Sequence, residues 1–154
     1  MMKRLLFIGL IGLALTGCDN KKGAFIETVE TQNTVSAAVA KLTAALPGKG
    51  LVLMETIDHA KNAKKAGLRL NPETVVIFGN PKIGTKLMQC NPSMGLDLPL
   101  RMLFTSSYEG KTTIMYTNPE YWSLKHNIKD KTCLGIIRQA HIALQELAEA
   151  AAKK

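Results

Sequence analysis

The first seventeen residues constrain the rest of the chain most, because they have the layout of an export signal. Two basic residues at 3–4 precede an apolar run of eleven residues at 5–15, and two small residues at 16–17 stand directly before Cys18. This order is typical of a secretory signal that is removed from the mature protein. A transmembrane helix needs about 20 apolar residues, so an uncleaved membrane span is the weaker interpretation. The segment that folds is therefore expected to lie outside the cytoplasm.

The four residues that end this segment, Leu15-Thr16-Gly17-Cys18, resemble the lipobox of bacterial lipoproteins. The resemblance implies that Cys18 is linked to diacylglycerol before cleavage and that several acyl chains hold the mature N-terminus at a membrane, as stable anchoring requires. The alternative is an ordinary secretory signal in which Cys18 is incidental. Asp19 resembles the residue that retains lipoproteins in the inner membrane of enteric-type bacteria, so we expect the cell envelope, with the periplasmic face of the inner membrane favoured over the outer membrane.

Removal of this signal leaves a chain that suits one domain. Of the 154 residues, 137 follow position 17, which is enough for a single hydrophobic core. We predict a short polar tether at 18–24 and one domain at 25–154. The 20 basic residues fall to 18 against 12 acidic residues, a formal charge of +6. That excess suits an anionic surface, whereas export argues against nucleic acid as a partner.

Two cysteines remain once Cys18 is assigned to lipid. Cys90 and Cys133 are an even pair in an oxidising compartment, where disulfides persist. A bridge between them would close a loop of 43 residues and add about 4 kcal/mol in the chain-entropy model. Two free thiols are the alternative, because the sequence does not supply the geometry that a bridge needs.

The order of helical and strand-like patterns predicts an α+β fold. Apolar runs predict strands at 25–31, 51–57, 74–78, 100–108 and 111–117, of which the second and third are expected to be buried on both faces. Capping residues and apolar periodicity predict helices at 34–46, 59–66, 81–89 and 134–151. The last two strands are joined at Glu109-Gly110, so they form an antiparallel hairpin. We expect a single domain with an antiparallel sheet backed by helices and a long C-terminal helix.

Several motifs in order between positions 57 and 119 carry a resemblance to a family. They are Ile57-Asp58-His59-Ala60, Ala66-Gly67-Leu68, Pro72, Phe78-Gly79-Asn80-Pro81, Gly84-Thr85, Leu87-Met88, Asn91-Pro92, Gly95-Leu96-Asp97-Leu98-Pro99-Leu100 and Pro119. On these residues the chain closely resembles the domain of unknown function 302 (DUF302) family. The resemblance implies a TATA-binding-protein-like architecture and members that pair as homodimers. It implies no activity.

Four residues of this stretch are candidate ligand-binding residues. His59 follows Asp58 at a strand-to-helix junction, where an imidazole can titrate near neutrality or bind a metal. Asn80 starts a helix whose free N–H groups suit an anion. Met88 and Asp97 complete the set, and convergence of the four would give a mostly apolar pocket with few polar groups. The alternative for each is structural: a helix cap, a local hydrogen bond, core packing or a loop contact.

The function classes that stay open are a binding module and an enzyme. We favour a membrane-anchored envelope protein that binds a small molecule or another envelope protein. The alternative is an enzyme, or a redox or metal accessory protein, that uses His59 with Asp97 or Met88. The sequence indicates no cofactor and no compact metal motif, although Met88 and Cys90 with His59, His126 or His141 would suit copper. No Ser/His/Asp grouping stands out, and no catalytic residue is assigned.

Overall fold

Residues 23–154 are described by a computed structural model of the chain. The predicted export signal, Cys18 and Asp19 lie outside the described residues. The strands are β1 (Ile26–Thr31), β2 (Val52–Asp58), β3 (Glu73–Gly79), β4 (Leu100–Ser106) and β5 (Thr112–Thr117). The helices are α1 (Val35–Ala45), α2 (His59–Lys65), α3 (Pro81–Cys90), α4 (Trp122–Lys125) and α5 (Lys131–Ala152), with 3-10 turns at Pro47–Lys49, Pro92–Leu96 and Pro119–Tyr121.

The five strands form one antiparallel sheet in the order β1-β5-β4-β3-β2. Alternate residues of the three central strands are buried, which places them on one face of the sheet. Helices α1 and α5 pack against each other and against these strands. The core between them includes Leu42, Leu46, Val76, Phe78, Met102, Phe104, Ile114, Ile137 and Leu144. The prediction of one α+β domain with an antiparallel sheet and a long C-terminal helix is confirmed.

The predicted burial of β2 and β3 on both faces is wrong. In β3, Val76 and Phe78 are buried, whereas Val75 and Ile77 are only partly buried. The difference is larger for β2. This strand lies at the edge of the sheet, where it pairs only with β3. Val52, Leu53 and Met54 are 52%, 45% and 42% exposed. A continuous apolar run is compatible with a central strand and with an edge strand beside a cavity, and the run alone does not distinguish the two.

The two ends of the sheet differ in what surrounds them. The cavity end is the end at which β3 finishes at Gly79 and β4 starts at Leu100. The distal end is the end at which β2 finishes at Asp58 and β3 starts at Glu73. At about 3.3 Å per residue, the seven residues of β3 separate the two ends by roughly 20 Å.

Candidate functional site

A cavity of about 900 Å³ lies at the cavity end of the sheet, between α3 and α5. Its volume falls in the range of about 300–1,000 Å³ that is usual for small-ligand sites. Most of the lining is apolar and comes from the ends of β2, β3 and β4, from α3, from the loop before β4, and from one face of α5. The apolar lining includes Leu51, Met54, Ile83, Leu87, Met88, Leu98, Pro99, Leu100, Trp122, Ile136, Ala140, Ile142 and Ala143.

Asn80 fixes the start of α3, which forms one wall of this cavity. Its side-chain oxygen accepts a hydrogen bond from the backbone N–H of Ile83 at 3.2 Å, and its Nδ2 donates to the carbonyl of Gly50 at 3.0 Å. Pro81 follows at the first helical position, where a missing N–H costs nothing. The Asn80 side chain lines the cavity, but its hydrogen bonds are those of a helix cap and of a tie to the turn after α1.

The opposite wall is the face of α5 that carries small residues. Gly135 is an interior helical residue, where glycine costs about 1 kcal/mol relative to alanine. A Cβ atom built at this position would meet no atom within 4 Å. Thr132, Ala140 and Ala143 lie along the same wall. The space in front of α5 is therefore set by small side chains rather than filled by packing.

The rim of the cavity combines exposed apolar side chains with one ion pair. Met88 is 37% exposed, Ile83 is 41% exposed and Ile142 is 48% exposed, although each is large and apolar. Grouped apolar exposure of this kind is a feature of binding surfaces. Lys49 Nζ lies 2.5 Å from a carboxylate oxygen of Glu146, so this ion pair bridges the turn after α1 and helix α5 at the rim.

Trp122 also lines the cavity and is the single tryptophan of the chain. Its side chain is buried, at 3% exposure. Within residues 23–154 the indole N–H has no hydrogen-bond acceptor, and a buried donor left unpaired costs about 1–3 kcal/mol. Because the residue is unique and lines the wall, its fluorescence reports on the cavity.

Asp97 lies beside the cavity in the loop before β4, at the centre of a hydrogen-bond network. Its side chain is 11% exposed. The carboxylate accepts hydrogen bonds from Tyr121 Oη at 3.0 Å, Lys125 Nζ at 2.9 Å and His126 Nε2 at 2.5 Å. On the other side of the ring, His126 Nδ1 lies 2.6 Å from Ser93 Oγ. The loop at 93–97 is thus tied to α4 and to the residue after it.

The network changes the proton affinity of two of its members. Burial raises the pKa of Asp97, but the hydrogen bonds from Lys125, His126 and Tyr121 outweigh it and hold the pKa below the ordinary value of 3.8. The hydrogen bond to Asp97, helped by the one to Tyr121, raises the pKa of Lys125. Asp97 is therefore an ionised carboxylate near neutral pH, and Lys125 is protonated.

A disulfide joins the two helices that form the cavity walls. Cys90 at the end of α3 is bonded to Cys133 in the first turn of α5, with 6.6 Å between the Cα atoms. Asp130 caps α5 by accepting a hydrogen bond from the N–H of Cys133 at 2.9 Å. The separation of the two walls is therefore fixed covalently at one end of the cavity.

The structure brings three of the four candidate ligand-binding residues to the cavity end and places the fourth elsewhere. Asn80 and Met88 line the cavity, and Asp97 lies between Leu96 and the lining residue Leu98. His59 starts α2 at the distal end, directly after Asp58. With the length of β3 between them, His59 is not within reach of Asp97 or Met88.

The imidazole that contacts Asp97 is His126, which the sequence offered only as one of three alternative histidines for copper and not as a partner of Asp97. His126 and Ser93 are 33 residues apart, and Asp97 and His126 are 29 apart, so no local spacing pattern marks them. The available signal was indirect: Asn91-Pro92 starts a helical turn that carries Ser93. No group of three or more His, Cys, Asp or Glu side chains within residues 23–154 is arranged to hold a metal ion.

Two kinds of similar protein were found among curated sequences and solved structures. The chain is 36% identical over 101 residues to proteins named fluoride-specific ion channel FluC 1 from Brucella suis biovar 1 (strain 1330) and Brucella abortus biovar 1 (strain 9-941). The match covers 66% of this chain and 40% and 37% of those proteins. The chain thus spans well under half the length of these relatives. Within residues 23–154, no helix is long and apolar enough to cross a membrane.

A solved structure shares the fold. The crystal structure of an uncharacterized conserved DUF302 protein from Bacillus stearothermophilus superposes with a TM-score of 0.74 at 18% identity, over 84% of this chain and 99% of that one. The sequence profile described as "Domain of unknown function DUF302" matches residues 27–152. This match spans the sheet, both cavity walls and the Asp97 network. The chain belongs to the DUF302 family.

Proposed function

We propose that this DUF302 domain is a binding module that holds an apolar small molecule in the cavity between α3 and α5, and that lipid on Cys18 carries it at a membrane of the cell envelope. The observation that carries the proposal is the cavity itself. Its volume of about 900 Å³ is lined mainly by apolar side chains. Few polar groups, among them Asn80 and Gln139, are available to orient a ligand.

The small-residue wall supports binding rather than incomplete packing. Protein interiors are close-packed, and voids larger than a water molecule are few. Here the wall of α5 keeps glycine at position 135 at a cost of about 1 kcal/mol relative to alanine, although a Cβ would meet nothing within 4 Å. A site that must admit a ligand accounts both for the open volume and for the presence of a glycine that destabilises the helix.

The position of the N-terminal segment supports a cavity that faces the bilayer. Phe25 stacks on Tyr121 with 5.2 Å between ring centroids, and its carbonyl accepts a hydrogen bond from the N–H of Asn118 at 2.7 Å. Tyr121 directly precedes Trp122, which lines the cavity. A tether that starts here holds the cavity end, rather than the distal end, towards the membrane. The names of the Brucella relatives describe ion channels, which are membrane proteins, and this agrees with a domain that works beside a bilayer.

Occupancy of the cavity is tested with Trp122 fluorescence and a neutral apolar dye, Nile red. Gly135→Phe places a ring in the open volume and is expected to weaken dye binding at least tenfold. Gly135→Ala adds one methyl group, so it should bind the dye like the wild type and unfold at a higher temperature. Gln145→Leu, on an exposed part of α5 away from the lining, controls for added apolar surface. Equal binding by the Phe and Ala variants would contradict the proposal.

Native mass spectrometry of the protein purified from its own host tests the same site without a chosen probe. We expect an added mass in the wild type that is absent from the Gly135→Phe variant. Retention of the same mass by both proteins would place the ligand elsewhere.

The anchor is tested separately in cells. Globomycin blocks the peptidase that cleaves bacterial lipoproteins, so the unprocessed precursor should accumulate in treated cells. Cys18→Ala removes the residue that is lipidated before cleavage, so the unprocessed precursor should accumulate in this variant without globomycin. Normal processing in the presence of globomycin would contradict lipidation and leave the cavity proposal intact.

A further inference from the structure

We propose that Ser93 is a nucleophile activated by His126 and Asp97, and that this triad hydrolyses carboxylic esters with an apolar acyl group. The triad lies outside the lining of the cavity, so its chemistry is separate from simple ligand binding. The acyl-group part of the proposal rests on the proposed function of the cavity, and the nucleophile part does not.

The hydrogen bonds of the triad run in the direction that a general base needs. His126 Nε2 lies 2.5 Å from Asp97 Oδ2, and an ionised carboxylate only accepts hydrogen bonds. In the neutral ring the one proton is therefore on Nε2. Nδ1 of that ring carries a lone pair and accepts a hydrogen bond from the Ser93 hydroxyl at 2.6 Å. A nucleophile, a base and an orienting carboxylate in this order are the parts of a catalytic triad.

The two ring nitrogens are exchanged relative to the familiar serine-protease arrangement, in which Nε2 faces the serine. The exchange leaves the chemistry available, because either nitrogen of a neutral imidazole can be the acceptor while the other is the donor. What matters is that the carboxylate fixes the tautomer.

The burial of the three residues follows their roles. Ser93 is partly exposed, whereas His126 is 3% exposed and the Asp97 side chain is 11% exposed. Tyr121 and Lys125 satisfy the remaining lone pairs of Asp97, so the carboxylate stays ionised behind the ring. His126 is the most buried of the three, and Ser93 is only partly buried.

Asn91 holds the nucleophile and the base in register. Its side-chain oxygen accepts a hydrogen bond from the N–H of Ser93 at 2.9 Å, and its Nδ2 donates to the carbonyl of His126 at 2.7 Å. One side chain thus ties the backbones of both residues together. Asn91 is a positioning residue, since it acts through Ser93 and His126.

The apolar acyl group follows from the surroundings of Ser93. Ser93 and Gly95 lie on the same 3-10 turn, two residues apart, which is a rise of about 4 Å. Gly95 lines the apolar cavity. The acyl chain of the proposed ester is assigned to this cavity because Gly95 is where the turn that carries Ser93 reaches the apolar lining.

The reaction balances with water as the second substrate. Ser93 Oγ forms a bond to the ester carbonyl carbon while its proton passes to His126 Nδ1. The carbon–oxygen bond to the leaving group breaks, and the alcohol departs with that proton. Water, deprotonated by His126, then cleaves the acyl–Ser93 bond, so the carboxylic acid is released and the serine hydroxyl is restored.

Diisopropyl fluorophosphate tests the nucleophile directly. An activated Ser93 displaces fluoride to form an oxygen–phosphorus bond, and peptide mass mapping locates the added group. We expect stoichiometric labelling of wild-type Ser93, none in Ser93→Ala, and a rate about 100-fold lower in His126→Gln, as loss of a general base predicts. Ser36→Ala, an exposed serine on α1, is the control and should leave Ser93 labelling unchanged.

The wild-type measurement keeps the proposal falsifiable if the His126 variant fails to fold. An unlabelled Ser93 in the folded wild-type protein would overturn it. Equal labelling rates in wild type and folded His126→Gln would do the same, since Ser93 would then react without the base.

A chain-length series of p-nitrophenyl esters separates this proposal from that of the cavity. Gly135→Phe should lose at least tenfold in turnover of the octanoate and keep its reaction with diisopropyl fluorophosphate. Unchanged octanoate turnover in this variant would overturn the acyl-group part alone. Dye binding with no labelling of Ser93 would overturn the triad and support the binding module.

Discussion

The two ends of the sheet each carry an aspartate of the family motifs, Asp58 before the candidate His59 and the candidate Asp97, and the two residues differ in what holds them. At the distal end, Asp58 is exposed and accepts a hydrogen bond from the N–H of Lys61 at 2.7 Å. At the cavity end, Asp97 is 11% exposed and accepts hydrogen bonds from Tyr121, Lys125 and His126. A cap stabilises one short helix, whereas a buried network ties a loop to another element and sets protonation states.

The surroundings of the two aspartates differ in the same way. Around Asp58, the basic residues of and after α2 are exposed, and Leu68 is 67% exposed. Around Asp97, a cavity, a disulfide and a buried histidine lie within one part of the fold. We therefore expect substitutions at the cavity end to affect both stability and binding, and substitutions at the distal end to affect stability slightly and binding not at all.

Removal of the disulfide should give the largest loss in the free energy of unfolding. The double variant Cys90→Ala/Cys133→Ala frees a 43-residue loop in the unfolded chain, which predicts a loss of about 4 kcal/mol in the free energy of unfolding. Urea denaturation followed by circular dichroism measures it. Reductant should destabilise the wild type and leave the double variant unchanged; a wild type that is insensitive to reductant would show that the bond does not constrain the cavity end.

Removal of the Asp97 carboxylate should give the second-largest loss in the free energy of unfolding. Asp97→Ala leaves the buried ring N–H of His126 and the exposed Lys125 without their shared acceptor, and one unpaired buried donor predicts a loss of about 2 kcal/mol. The same denaturation experiment reports it, with Glu109→Ala in the exposed hairpin loop as the control. A loss below about 1 kcal/mol would remove the energetic distinction between the two ends.

The contribution of Asp97 should also depend on pH in a stated direction. Because its pKa in the folded chain lies below the ordinary 3.8, the stabilisation is present above that value and is lost as the pH falls through the folded-state pKa. The raised pKa of Lys125 adds stability that is present below its ordinary value of 10.5 and is lost as the pH rises through the folded-state pKa. The stability difference between wild type and Asp97→Ala, measured in urea from pH 7 to pH 3, should therefore shrink at the acidic end. A constant difference would contradict this linkage.

Removal of the Asp58 carboxylate should have a smaller effect. Asp58→Ala deletes the N-cap of α2, which predicts a loss of about 1 kcal/mol. Asp58→Asn keeps a capping oxygen and should recover most of it. Both variants should bind Nile red like the wild type, since the cap lies roughly 20 Å from the cavity end; weakened dye binding would show coupling between the two ends.

Removal of the His59 side chain should give the smallest effect. His59 is partly buried and starts α2, and a substitution away from a core or a network usually changes stability by less than about 0.5 kcal/mol. Thermal unfolding, dye binding and any labelling of Ser93 should match the wild type for His59→Ala. A loss of labelling would return His59 to the active-site hypothesis.

The sequence predicted the elements of the fold because their signals are local. Asn80-Pro81 and Asp58 begin helices in the structure as capping residues should, and the apolar periodicity of the last helix corresponds to a buried face that includes Ile137 and Leu144. The position of β2 within the sheet is not a local property. Its edge position depends on the strand order, in which β2 pairs with β3 alone.

The sequence predicted most of the candidate site residues, but it did not predict which of them lie together in the fold. Asn80 and Met88 line the cavity and Asp97 is hydrogen-bonded at its side, yet the histidine near them is His126 rather than His59. Which end of the sheet a loop reaches depends on strand direction, and antiparallel pairing of β2 with β3 carries His59 away. Gly135 gave no sequence signal at all, because an open space is a property of packing.

The pairing of β1 with β5 has a consequence for how the chain folds. These strands are hydrogen-bonded neighbours although they are distant in sequence. For example, the Asn118 side chain donates a hydrogen bond to the Glu27 carboxylate, 91 residues away. The Thr31 hydroxyl also donates to the carbonyl of Ala152, 121 residues away. Closing such long loops costs entropy before the contacts form, and domains with many non-local contacts fold slowly. The sheet is completed only when β5 is present, so a chain that ends before β5 would leave one edge of β4 unpaired and β1 without its partner strand.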